Sequence, residues 1–328
     1  MIKKFNKNIY LATILSLLMC VNASWAQNTQ GTQNYPNKTI RIIVALAPGG
    51  GVDTAARMLG QRFTEAWGQQ VVAENRPGAG GTIAAEQVAR ATPDGYTLLM
   101  TSMGHTITPA MYKLSFDVNK DFAAISLFVQ SASVLSVHPS LPVKNVKDLV
   151  AISKRGNELT YATTGAGSSP HLTAEMLKLQ SGIRILQIPY RGTPPAMTDL
   201  VAGNVSFMFG NILSVLPQVR NGRLRALAIT SAKRSGITPN VPTVAETYPG
   251  FESGSWYGLF TPTGTPREAV ARLHETTTRA LHSPDVRDKF VAQGAELLAS
   301  TQPEAQAYTR VEVAKWGKVV KASGAKAD

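Results

Sequence analysis

Cysteine is almost absent: among 328 residues the single thiol is Cys20, so neither a disulfide framework nor a thiolate metal cluster can be built. Acidic residues are also short, with 21 Asp and Glu against 33 Lys and Arg and a formal net charge of +12. That balance favours anionic partners. The basic residues are scattered in runs no longer than two, and no basic stretch is interleaved with aromatics, so nucleic acid is not expected as a partner. Beyond the N-terminal segment no apolar run reaches the ~18 residues of a spanning helix. G-x-S-x-G, G-x-x-x-x-G-K-[ST], H-E-x-x-H and G-x-G-x-x-G are all missing, which argues against an enzyme and against a bound cofactor or metal. His274 and His282 are eight apart, whereas a metal pair on a helix needs a spacing of four, so they read as surface or packing residues. His171 and Glu175 do have that spacing, and an ordinary polar pair one helical turn apart is the plainer reading.

What is present begins with a secretory leader. Lys3, Lys4 and Lys7 precede a mostly apolar stretch, and Ser24, Trp25 and Ala26 offer the small residues read by a signal peptidase. Cleavage after Ala26, giving a periplasmic product, is the expected outcome. It removes the cysteine and three lysines, which lowers the formal charge from +12 to +9. Met19 is too large for a lipobox, so lipidation at Cys20 is not expected.

The clearest stretch of the remaining chain spans residues 39–60. An apolar run at 40–47 breaks at Pro48, Gly49, Gly50 and Gly51, then resumes with helical spacing. This reads as a buried strand, a glycine turn and a helix start capped by Asp53 or Thr54. Glycines let the backbone approach a ligand, and the first helical N–H groups have no partner within the helix, so such a loop can seat an anion. The same arrangement follows. A strand is predicted at 70–74, a second glycine loop at 75–81, a helix at 82–91 and a strand at 96–100. Strand and helix alternation of this kind indicates a mostly parallel α/β sheet. A β-rich crossing is expected at 122–138. The pattern then restarts with a helix at 145–154, a strand at 159–162, a loop at 164–168, a helix at 170–180, a strand at 185–189, a helix at 194–202 and strands at 205–210 and 224–230. A return crossing is placed near 256–260 and the C-terminal part reads as helical.

Two α/β units joined by two crossings describe a bilobed molecule. The expected division is residues 36–134 with 254–328 as lobe one and 135–253 as lobe two. The loop formed by Thr164, Gly165, Ala166, Gly167 and Ser168 then repeats the chemistry of the first glycine loop, and the two are expected to face each other across a cleft that takes a carboxylate. A secreted hydrolase using Ser168 and His171 is a weaker alternative, because no third residue or nucleophile elbow accompanies them.

Several segments together resemble one family, the extracytoplasmic solute receptors of tripartite tricarboxylate transporters, also called Bug or TctC proteins. The matching stretches are PGGGVDTAAR from Pro48, VVAENRPGAGGTIAAEQVA from Val71, PDGYTLL from Pro93, YATTGAGSSPHLTAEML from Tyr161, IPYRGTPPAMTDLVAGNVSFMF from Ile188, GRLRALAITSAKR from Gly222, VPTVAE from Val241 and PTGTP from Pro262. The resemblance implies an α/β, two-lobed periplasmic-binding-protein type II fold, each lobe a mixed, mostly parallel sheet flanked by helices. It further implies delivery of a small organic acid to membrane permease subunits. A monomer without enzymatic activity is expected, and docking on the periplasmic domain of a sensor is the second hypothesis, since both roles need the same closure. By the same resemblance Pro48 to Asp53 and Thr164 to Ser168 grip a ligand carboxylate. Asp53 then organises its loop, since a bare carboxylate would repel the anion. Asn75, Ser102, Tyr190, Arg191 and Asp199 are further pocket candidates. Ala47 and Asn211 depart from the family's commoner residues, a larger one and an acidic one, at positions that bear on ligand identity.

Overall fold

The computed structural model describes residues 35–325, apart from positions 157, 166, 191, 293 and 294 and the side chain of 213. The leader with Cys20, and the candidates Ala166 and Arg191, lie outside the described residues. In chain order the elements are β1 (Ile40–Val44), α1 (Gly51–Trp67), β2 (Val71–Asn75), α2 (Thr82–Ala89), β3 (Thr97–Ser102), α3 (Gly104–Met111), β4 (Phe122–Val137), α4 (Val146–Lys154), β5 (Leu159–Thr163), α5 (Ser169–Ser181), β6 (Ile185–Pro189), α6 (Thr193–Ala202), β7 (Phe207–Asn211), α7 (Ile212–Arg220), β8 (Arg225–Ile229), β9 (Gly254–Pro262), α8 (Arg267–His282), α9 (Pro284–Ala292), β10 (Glu296–Leu297) and α10 (Gln302–Ser323).

Strands β2, β1 and β3 run parallel, and β9 joins β3 antiparallel. In the second sheet β6, β5 and β7 run parallel, with β7 and β8 antiparallel to β4. The long strand β4 links the two. From Phe122 to Ala132 it pairs with β9, and from Ser133 to Val137 it pairs with β7 and β8. Where the sequence suggests two β-rich runs, one strand of 16 residues therefore changes partners.

This topology places the site. In parallel sheets the strand ends that feed helices all lie at one edge, where ligands bind. Here β1, β2 and β3 end at Val44, Asn75 and Ser102, and β5, β6 and β7 end at Thr163, Pro189 and Asn211. The core is continuous between the sheets: Leu99, Phe122, Leu135, Tyr161, Leu172, Phe207 and Trp316 belong to one buried cluster. The C-terminal helix α10 packs on α3, β4 and α5 and so touches both halves. Its ends are well specified. Thr301 and Glu304 form a capping box at its start, and Gly324 closes it in the left-handed conformation.

Two helices escape the sequence reading. The segment α3, GHTITPAM, contains glycine, proline and β-branched threonines, and α7 contains Pro217; all are poor helix formers. Burial decides instead, because His105, Thr106, Ile107 and Thr108 of α3 are covered by their neighbours. The predicted strand at 40–47 stops at Val44, and the predicted helix at 82–91 stops at Ala89 after a tight turn at Ala79–Gly81.

Candidate functional site

The first glycine loop is organised from within. Helix α1 is preceded by Gly50 with no side-chain cap, so neither Asp53 nor Thr54 caps it as the sequence suggests. Asp53 sits in the first turn and reaches back: its Oδ2 accepts the Gly49 N–H at 2.9 Å and Arg57 Nε at 3.2 Å, and its Oδ1 accepts Asn75 Nδ2 at 3.0 Å. Asn75 also donates to the Leu46 carbonyl at 2.9 Å and accepts from Arg57 at 3.0 Å, which ties the end of β2 to the loop. Burial alone would push the Asp53 carboxyl up. The hydrogen bonds from Arg57, Gly49 and Asn75 and the Arg57 charge outweigh it and hold the group below its ordinary range. Asp53 and Asn75 thus spend their polar groups on the loop.

The N–H groups of Gly50 and Gly51 stand at the helix start, where the helix offers no acceptor. Pro48, Gly49 and Gly50 are exposed. Gly49 has φ +82°, a conformation that favours glycine, whereas Gly50 is extended with φ −80°. Gly51 is confined differently, since a Cβ there would fall onto the ring of Tyr257 with Cζ at 2.8 Å. Tyr257 pairs with Ser102 across β9 and β3. Burial pushes its phenol pKa up, so it keeps its proton. The sequence reading passes over Tyr257, since only the pairing of β9 with β3 brings it beside Gly51. The alternating burial of β9 marks its two faces but not its neighbour.

The second loop has the same plan with different groups. Gly165 has φ +114° and Gly167 φ +70°. The Gly167 N–H donates to His171 Nδ1 at 2.9 Å, and Gly165 N–H donates to Thr163 Oγ1 at 3.3 Å. Thr163, fully buried, also accepts from Gln187 Nε2 at 2.9 Å. Ser168 directs its own proton inward, to the Gly165 carbonyl at 2.7 Å. Its hydroxyl therefore does not point a proton at a ligand, and no hydrogen bond among the described residues joins it to His171. Thr164 is half-buried at the loop's start. Tyr190 donates its backbone N–H to the Thr163 carbonyl at 2.9 Å and its hydroxyl to Asp199 at 2.7 Å. Burial, then that bond, pushes the Tyr190 pKa up to about 12, while the bonds from Tyr190 and Asn204 hold Asp199 low. Asn211 ends β7 at an exposed position.

The two loops share no hydrogen bond among the described residues. They are connected through the first sheet. Gly51 lies against Tyr257, Tyr257 is paired with Ser102, and Ser102 leads into α3, whose last residue Met111 meets the second loop: a Cβ on Gly167 would stand 2.6 Å from Met111 Cε. Gly80, in the loop after β2, is close enough to Gly104 that a Cβ there would stand 3.0 Å from the Gly80 carbonyl oxygen. The loops after β1, β2 and β3 therefore converge at one edge. A cavity of about 650 Å³ lies elsewhere, at the opposite ends of β5 and β6, lined by Ser153, Lys154, Glu158, Gly182 and Arg184. It lacks helix-start donors, and Glu158 offsets its basic groups.

Of the two histidines eight apart, His274 Nδ1 lies 2.9 Å from the Ile125 carbonyl and His282 Nδ1 lies 2.7 Å from that of Thr278. Both make ordinary side-chain contacts to backbone.

Comparison with known proteins agrees with this architecture. The family model described as "Tripartite tricarboxylate transporter family receptor" (TctC) matches residues 55–325. Protein BugT of Bordetella pertussis is 36% identical over 297 residues, covering 89% of this chain and 91% of its own length. Rpa4515 of R. palustris, solved with adipate, is 34% identical with a TM-score of 0.72, covering 89% of this chain and all of that one. MatC from Rhodopseudomonas palustris, solved with bound malate, is 32% identical with a TM-score of 0.69, covering 87% of this chain and all of that one. The fold is that of periplasmic binding proteins, α/β with mixed sheets, and the chain belongs to the tripartite tricarboxylate transporter receptor family of solute-binding proteins.

Proposed function

We propose that this protein is a non-enzymatic periplasmic receptor that captures a small carboxylate between its two glycine loops and delivers it to a tripartite tricarboxylate transporter permease. One observation carries the reading: both loops sit at the ends of parallel strands, each leads into a helix start, and each has one glycine N–H pinned by a side chain of the following helix. Remaining donors such as Gly50 and Gly51 N–H are thereby preset for an anion before it arrives, so less ordering cost falls on binding. Asp53 and Asn75 organise the first loop, and Thr163 the second. Ser102 and Tyr257 stand between them, where a phenol that keeps its proton can donate to a carboxylate.

The lobes are residues 36–134 with 254–328, and 135–253. The change of partners along β4 near Ser133 supports this division. An N-terminal signal cleaved after Ala26 places the protein in the periplasm. The adipate and malate of the relatives suggest a di- or tricarboxylate, with aromatic acids and acidic amino acids as the other classes to try.

Isothermal titration against adipate, malate, citrate, benzoate and aspartate tests the proposal. Saturable one-to-one binding of at least one acid is expected, without turnover of the bound acid. No binding anywhere in the panel would overturn it.

A further inference from the structure

Each glycine loop is held by a clasp of the same span and opposite chemistry. Gly49 N–H donates to the carboxylate of Asp53 and Gly167 N–H donates to the imidazole of His171, both at 2.9 Å and both to a side chain four residues ahead. A carboxylate accepts at every pH at which it is ionised. An imidazole accepts at Nδ1 only when neutral, with its proton on Nε2. Protonated, it would point a donor at a donor.

The surroundings of His171 fit that role. The side chain is 8% exposed, and its Nε2 faces Glu175 Oε1 at 4.0 Å. Glu175 is occupied by the Tyr161 hydroxyl at 2.7 Å, from β5, and by Lys178 Nζ at 2.8 Å. Strand β7, also packed on α5, has no titratable side chain. Helix α10 packs on the same helix and brings Glu312 and Lys315, which are paired with each other. On α3, whose Met111 touches the loop, His105 is held down to about 3 by burial and stays neutral throughout the range that matters.

Resting on the carboxylate-receptor reading, the geometry points to His171 as the positioning residue of the 164–168 loop, with proton uptake by its imidazole releasing Gly167 and weakening the grip on the ligand. Burial disfavours the charged ring; Glu175 raises its proton affinity, Lys178 lowers it, and the net shift is downward from the ordinary value. The sign follows. The clasped state binds fewer protons than the released one, so affinity is full above about pH 6.5 and is lost as pH falls below it. Asp53, held below its ordinary range, keeps its own clasp over that interval.

The test is a titration of wild type, His171→Asn and His171→Ala with malate and with adipate at several pH values. Asparagine keeps an acceptor near the position of Nδ1 but does not titrate. Because the ligand's own protonation is common to all three proteins, the ratio of wild-type to His171→Asn affinity is the quantity read. That ratio is expected to fall several-fold between about pH 7.5 and about pH 5.5, with about tenfold as the ceiling set by a released ring of ordinary pKa near 6.5 and a clasped ring that takes up no proton; His171→Ala is expected to bind weakly throughout. A ratio independent of pH, or one that rises as pH falls, would overturn the inference. As a readout that needs no variant, the Gly167 amide shift in wild type should follow the His171 imidazole titration with one midpoint; an amide that ignores the ring would also overturn it. Wild type binding neither acid, nor any other, at about pH 7.5 would instead remove the receptor reading, and this inference with it.

Discussion

At the scale of single residues, the three glycines after Pro48 are not equivalent. Gly50 is extended and its Cβ position is open, with Ala47 O at 3.7 Å. Gly50→Val is therefore expected to leave the melting temperature nearly unchanged while reducing affinity at least about tenfold, because the side chain would stand where the backbone approaches the anion. Gly49→Ala is expected to cost about 1–2 kcal/mol of stability, since φ +82° disfavours a Cβ. Gly51→Ala would displace the Tyr257 ring, and a change in tyrosine environment by near-ultraviolet circular dichroism is the expected sign. Asp53→Ala would remove the acceptor shared by Gly49 N–H, Asn75 and Arg57, and a loss of affinity of up to about tenfold is expected from about 1 kcal/mol of net hydrogen bonding. Much of this was legible in the sequence. Glycines before a helical period announce the loop, and charge logic assigns Asp53 to its own backbone and not to the ligand. Tyr257 and the His171 clasp were not legible. The first depends on strand pairing between distant segments, and the second is a bond from backbone to side chain that the spacing of His171 and Glu175 conceals.

At the scale of elements, periodicity located most strands and the helices that cover them, because each has one face in the core and one outside. It failed at α3 and α7, where tertiary burial overrides poor propensity. Helix α3 is the costly omission, since its Met111 stands against Gly167 of the second loop. Its stability depends on α10, which packs along it. Trp316 of α10 is fully buried, with its indole N–H donating to Glu312 at 2.8 Å. Trp316→Ala is expected to lower unfolding stability by about 3–5 kcal/mol in denaturant titration. A loss below about 1 kcal/mol would mean that α10 is peripheral to the fold.

At the scale of the molecule, the resemblance of many segments to one family carried the overall architecture, and the matched family and structures agree with it. The sharing of one core cluster by the two sheets was not readable, because it is made by α10 returning across both halves. The positive balance of charge also acts at this scale. Association of a dicarboxylate should slow several-fold as ionic strength rises from about 0.01 M to about 0.15 M, because the Debye length shrinks from about 30 Å to about 8 Å. A salt-independent rate would confine the electrostatics to the loops. The most direct measurement of the central claim is a crystal structure of the complex with the tightest-binding acid of the panel. The expected result places one carboxylate within hydrogen-bond distance of Gly50 or Gly51 N–H and of the 164–168 loop, with Asp53 and His171 still clasped to Gly49 and Gly167. An acid bound away from both loops, such as in the cavity at Lys154 and Arg184, would contradict it.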